Sequence, residues 1–79
     1  MHNRIAVFRA EHGLSRRQLA EAVDVNPQTI GYLERGDYKP SLELALRIAE
    51  RFAVPVELLF SLTPFPPMAD ALRREGANR

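Results

Sequence analysis

Gln28, Tyr32 and Arg35 stand four and three residues apart, with Pro27 and Gly31 beside them, in a stretch rich in helix signals. An amide, a phenol and a guanidinium on one helical face do no covalent chemistry. Together they can hydrogen-bond to the edges of bases and to phosphate oxygens. A glutamine amide pairs bidentately with adenine N6 and N7, which discriminates against a wrong base by about 1–3 kcal/mol. Tyr32 can touch a thymine methyl or donate to a phosphate, Pro27 can meet a thymine methyl, and Gly31 lets a helix approach a groove closely. Catalytic chemistry finds no such grouping. His2 and His12 are the only histidines and cysteine is absent, so no set of three or four metal ligands converges. Ser15 and Ser41 are accounted for as helix caps. No enzyme, metal or cofactor is expected.

Two short helices joined by a tight turn must carry these residues. Ser15 and Gln18 form a Ser-x-x-Gln capping box immediately before Leu19 and Ala20, opening a helix that stops near Val23. Asn26-Pro27 restarts the chain, since asparagine caps well and proline in the first turn loses no hydrogen bond. That third helix spans residues 27–35 and ends at Gly36. Ala20 must be small where the two helices cross, and Leu19, Val23, Val25, Ile30 and Leu33 close the wedge between them. A first helix is expected over residues 3–11, with Ile5 and Phe8 inward and Gly13 as its stop. Ser41 caps a fourth helix whose apolar face carries Leu42, Ala45, Leu46, Ile48, Ala49 and Phe52. A short fifth begins near Pro55. No strand-like alternation is present, so the chain reads as all-α: a five-helix domain over residues 1–60, followed by an extension over 61–79. Pro64, Pro66 and Pro67 keep the start of that extension from being helical. Residues 68–75 have helical potential.

The sequence closely resembles the lambda-repressor and Cro type of helix-turn-helix, the xenobiotic-response-element (XRE) family of bacterial and phage regulators. The matching residues are Asn3-Arg4-Ile5, Arg9 with Gly13-Leu14-Ser15, Gln18-Leu19-Ala20, and Val25 with Gln28-Thr29-Ile30. They continue through Leu33-Glu34-Arg35-Gly36, Pro40-Ser41-Leu42, Ala45 with Ile48-Ala49, Phe52, Val56 and Leu59-Phe60, covering residues 3–60. The resemblance implies a sequence-specific regulator of transcription with its third helix in the major groove of double-stranded DNA. Base contacts would come from Pro27, Gln28, Gly31 and Tyr32. Phosphate contacts would come from Arg16, Arg17, Asn26, Thr29, Arg35, Tyr38 and Lys39. It further implies that Arg9 and Glu34 pair across the first and third helices, a structural role. Two departures stand out: Asp24 where members often have glycine, and Ala53 where they have glycine or asparagine.

Charge gives only modest support. The net charge is +1 with a pI near 8.3, and a strongly basic footprint normally means a pI above about 9. Between residues 13 and 40, Arg16, Arg17, Arg35 and Lys39 are balanced by Glu21, Asp24, Glu34 and Asp37. The case therefore rests on where the charges lie. A single small domain usually needs a second copy to read two half-sites, about 34 Å apart. Val54, Val56, Leu59, Phe60, Leu62 and Phe65 are the apolar candidates for a homodimer interface, and the family often dimerises in this region. Alternatively, a monomer tucks Leu62 and Phe65 over its own core. Two other functions remain open from sequence: an antitoxin-type module whose tail binds a partner protein while it autoregulates its operon, and an interaction module that has lost DNA binding. With no signal peptide or membrane segment recognised, the expected location is the cytoplasm.

Overall fold

The computed structural model describes residues 1–66. Its elements run β1 (His2–Asn3), α1 (Ile5–Glu11), α2 (Arg16–Val23), α3 (Pro27–Glu34), α4 (Leu42–Phe52), α5 (Val56–Leu59) and β2 (Phe60–Ser61). The helical fold class stands, with one small addition. β1 and β2 pair antiparallel, His2 opposite Ser61 and Asn3 opposite Phe60, so the two ends of the domain are held side by side.

That pairing explains why α1 starts two residues later than the sequence predicts. Asn3 keeps extended backbone for the ladder and uses its side chain at both ends. Its Oδ1 accepts from the Ile5 amide at 3.2 Å, and its Nδ2 donates to the Leu33 carbonyl at 2.6 Å. The Arg4 amide donates to the Leu59 carbonyl at 2.8 Å. The first turn of α1 is thereby tied to the end of α3 and to α5.

The other helix starts follow local signals. Both halves of the capping box at Ser15 and Gln18 are formed. Asn26 Oδ1 accepts from the Gln28 amide at 2.9 Å, and Ser41 Oγ accepts from the Leu44 amide at 3.1 Å. The core gathers Ile5, Leu19, Ala20, Val23, Ile30, Leu33, Leu44, Ile48, Ala49, Phe52 and Leu59. On α4 the inward stripe is Leu44, Ala45, Ile48, Ala49 and Phe52. Leu42 and Leu46, expected on that face, are 73% and 49% exposed, because α4 is rotated to present Leu44 instead.

The two departures from the family pattern fall where the backbone is left-handed: Asp24 has φ 60° and Ala53 has φ 56°. Each still closes its helix, with the Val25 amide on the Ala20 carbonyl and the Val54 amide on the Ala49 carbonyl. An alanine in this conformation costs about 1–2 kcal/mol, partly offset in a glycine variant by the freer unfolded chain. Ala53→Gly should therefore raise stability by about 0.5–1 kcal/mol, read as a thermal midpoint several degrees higher. A lower midpoint would show that Ala53 is not strained.

Candidate nucleic-acid interface

The turn between α2 and α3 is built so that one face of α3 stays outside. Leu19, Ala20 and Val23 from α2 and Ile30 and Leu33 from α3 are all buried, closing the wedge between the two helices. With that side sealed, Gln28 and Tyr32 are left in solvent. Arg16, Pro27, Gln28, Gly31, Tyr32 and Arg35 line one shallow concavity on the outer surface. The four residues expected to face bases are thus brought together, with two of the expected cations at their rim.

Both rim cations are braced by carboxylates. Glu34, whose side chain is 5% exposed, is shared between two arginines. Arg9 Nε donates to Oε2 at 2.8 Å and Arg16 Nε donates to Oε1 at 2.9 Å. Arg9 Nη1 also donates to the Leu14 carbonyl at 2.9 Å. The expected Arg9–Glu34 pair is present, and Arg16 joins it. Arg35 Nε donates to Asp37 Oδ2 at 3.2 Å, and its guanidinium carbon sits 4.9 Å from the centre of the Tyr32 ring.

The arrangement separates some of the charges that cancel over residues 13–40. Glu34 lies beneath two guanidiniums, and Asp24 sits in a separate hollow with Arg47, Glu50 and Arg51. Arg17 and Lys39 are exposed and make no ion pair among the described residues. Arg17 and Lys39 are therefore the cations near α3 that a phosphate backbone could engage without competing with a carboxylate among the described residues, while Glu21 and Asp37 stay exposed.

Known proteins share this fold. A helix-turn-helix family model matches residues 5–59. The chain belongs to the XRE, or Cro/C1-type, helix-turn-helix family. An HTH-type transcriptional regulator of Archaeoglobus fulgidus is 47% identical over 60 residues, covering 76% of this chain and 86% of that protein. The regulator YgzD of Bacillus subtilis is 44% identical over 62 residues, covering 78% and 94%. Among solved structures, the restriction-modification controller protein C.AhdI from Aeromonas hydrophila superposes with a TM-score of 0.67 at 30% identity, over 72% of this chain and 86% of that one. The clp gene regulator ClgR from Corynebacterium glutamicum gives 0.62 at 30% identity, over 94% and 66%. This XRE-family protein is a DNA-binding transcriptional regulator.

Other candidates from the sequence are distributed as follows. Asn26 is exposed and Thr29 half-buried at the start of α3, and Tyr38 is exposed in the loop after it. Asn26 Oδ1 is engaged as the cap, and its Nδ2 makes no hydrogen bond among the described residues. Leu59 requires correction. It is fully buried in the domain's own core and cannot form part of a surface between subunits. Leu62, by contrast, is 88% exposed. Val54, Val56 and Phe60 are half-buried against the core, and Phe65 lies with the Arg4 guanidinium 4.2 Å over its ring. The potential helix at 68–75 falls outside the described residues.

Sequence reasoning missed Asn3 and Asp37, which position α3 and Arg35 without belonging to the wedge. Only the spacing of Asp37, two residues after Arg35, gave a signal. Among the described residues no grouping of three metal-ligating side chains occurs; the His12 ring packs against Phe52 with centroids 5.0 Å apart and planes tilted by 58°. No helix among them is long and apolar enough to cross a membrane.

Proposed function

We propose that the protein is a cytoplasmic homodimeric repressor that reads an inverted repeat, with α3 of each subunit in a major groove. The observation that carries this reading is the concavity on α3, where Gln28, Tyr32 and two braced arginines converge on a surface whose one exposed aliphatic side chain is Pro27. Pro27, Gln28 and Tyr32 meet base edges, while Gly31, expected among them, is buried beneath the Arg35 side chain and contributes only the room its missing side chain leaves. Arg16, Arg17, Asn26, Thr29, Tyr38 and Lys39 meet phosphates, Arg16 from the first turn of α2 where the duplex backbone crosses. The second subunit packs on apolar surface around α5 and β2, where Leu58 and Leu62 are exposed beside Val54, Val56, Phe60 and Phe65. A dimer seated over its operator obstructs transcription by occupancy alone. The regulator names of the relatives favour this reading over the antitoxin-type one.

Selection of bound duplexes from a random pool tests the proposal. The expected product is an enriched inverted repeat with half-sites one helical turn, about 34 Å, or a multiple of it apart. Enrichment of a single unrepeated site would refute the dimeric part, and no enrichment would refute sequence reading. Gln28→Ala should cost about 1–3 kcal/mol at one base position of each half-site, seen as flattened preference there. Equal weakening on every sequence would rule out base readout by Gln28.

A further inference from the structure

Arg35 does not lie as a backbone clamp would. Residues 28, 31 and 35 are three and four apart and share one helical face. The Arg35 side chain is folded back along that face. Its Nη1 is 3.9 Å from the position a Cβ on Gly31 would take, and its guanidinium carbon is 4.9 Å from the Tyr32 ring centre. Gly31, although on the outer side of α3, is buried, with the guanidinium close over it. Arg35 therefore sits among the residues that face bases, in the same concavity as Gln28.

The hydrogen bonding narrows its partner. A guanidinium offers two bidentate edges, one using Nε with one terminal nitrogen and one using both terminal nitrogens. Asp37 occupies Nε at 3.2 Å. Neither Nη1 nor Nη2 has a hydrogen bond among the described residues, so the end-on edge is open. In the major groove, two acceptors side by side, N7 and O6, occur on guanine. Adenine and cytosine present amino donors that repel the guanidinium, and thymine offers a single acceptor beside a methyl.

We propose that Arg35 is a specificity-determining side chain that reads a guanine end-on in each half-site, and is not one of the phosphate contacts. Gly31 leaves room for it, the Tyr32 ring supports its flat face, and Asp37 fixes which edge points outward. The inference rests on α3 occupying the major groove.

The test repeats the duplex selection with the wild type, Arg35→Lys and Arg35→Ala at one salt concentration, after thermal melting confirms that the variants fold, and measures each protein's affinity for two fixed duplexes across a salt series. The wild type should enrich a guanine at one position per half-site. Arg35→Ala should lose that preference by roughly 5- to 150-fold while other positions stay as they were, and Arg35→Lys should keep only a weakened preference, because a flexible ammonium reaches N7 and O6 without the preset planar edge of a guanidinium. Replacing that guanine by 7-deazaguanine, which lacks the N7 acceptor, should weaken the wild type several-fold and leave Arg35→Ala unchanged. A guanine preference retained in Arg35→Ala overturns the proposal. So does an Arg35→Lys variant equal to the wild type, with Arg35→Ala losing about one unit of salt slope on every sequence, the mark of a phosphate contact. Either outcome overturns the role of Arg35 alone. Failure of the wild type to enrich any sequence overturns it together with the proposed reading of DNA by α3.

Discussion

Leu59→Ala should unfold the domain before it affects any association between subunits. Leu59 is 0% exposed and packs in the same cluster as Ile5, Ile48 and Phe52. Truncating a buried leucine removes its transfer free energy and leaves a cavity, typically costing 2–5 kcal/mol, of which about 3 is expected here. In a domain of this size that lowers the thermal midpoint by more than about 10 °C. The position adds a second consequence. The Leu59 carbonyl accepts from the Arg4 amide, and β2 follows immediately, so loosening α5 also loosens the strand pair that joins the two ends of the domain. Leu62→Asp is the informative contrast. At 88% exposure it should shift monomer stability by no more than about 0.5 kcal/mol, yet shift the proposed dimer to monomer in sedimentation equilibrium. If Leu59→Ala instead produced a folded monomer with an unchanged midpoint, the burial of Leu59 would be wrong and its place at an interface restored.

The pair Leu58 and Leu59 illustrates what the sequence could and could not convey. Caps at Ser15, Asn26 and Ser41 were legible because their partners lie two or three residues away. The wedge residues were legible because periodicity and a small residue at the crossing constrain each other. The facing of α4 and α5 was not. Leu42, Leu44 and Leu46 alternate along the chain, and the tertiary rotation of α4 decides which one enters the core. The same holds for Leu58 and Leu59, on a helix of four residues. The start of α1 depended on Asn3 finding Phe60 at the far end of the domain, a partner no local pattern reveals. On the candidate interface, identities followed from the helix face and the Arg9–Glu34 pair from the family resemblance, but the ion pairs of Arg16 and Arg35 did not. Charges at 16, 34, 35 and 37 allow several pairings, and the path of α2 past the end of α3 selects Arg16 with Glu34.

Glu34→Gln should be the most damaging single change to the electrostatics of the scaffold. One carboxylate joins three helices: Arg9 from α1 on Oε2 and Arg16 from α2 on Oε1, while Glu34 itself closes α3. Glutamine keeps the shape but removes the charge, leaving two guanidiniums adjacent with no counter-ion between them. Breaking a buried pair by removing one partner costs about 3–5 kcal/mol. The lower end applies here, about 3 kcal/mol, because Arg16 is 55% exposed and can turn to water while Arg9, at 21%, has less freedom. Arg16→Ala alone should cost under about 1 kcal/mol, as expected for a half-exposed partner. Urea titration checks both: the midpoint of Glu34→Gln should fall with an unchanged slope, and that of Arg16→Ala should barely move. The asymmetry follows from geometry, since Arg9 keeps its bond to the Leu14 carbonyl whichever partner is lost, whereas only Glu34 neutralises both cations. Replacing the Arg9–Glu34 pair together by methionine and leucine should recover much of the loss, because it removes a desolvated charge along with its partner. If Glu34→Gln melted within a degree or two of the wild type, the three helices would be held by packing alone, and Arg16 would stand on α2 without a brace.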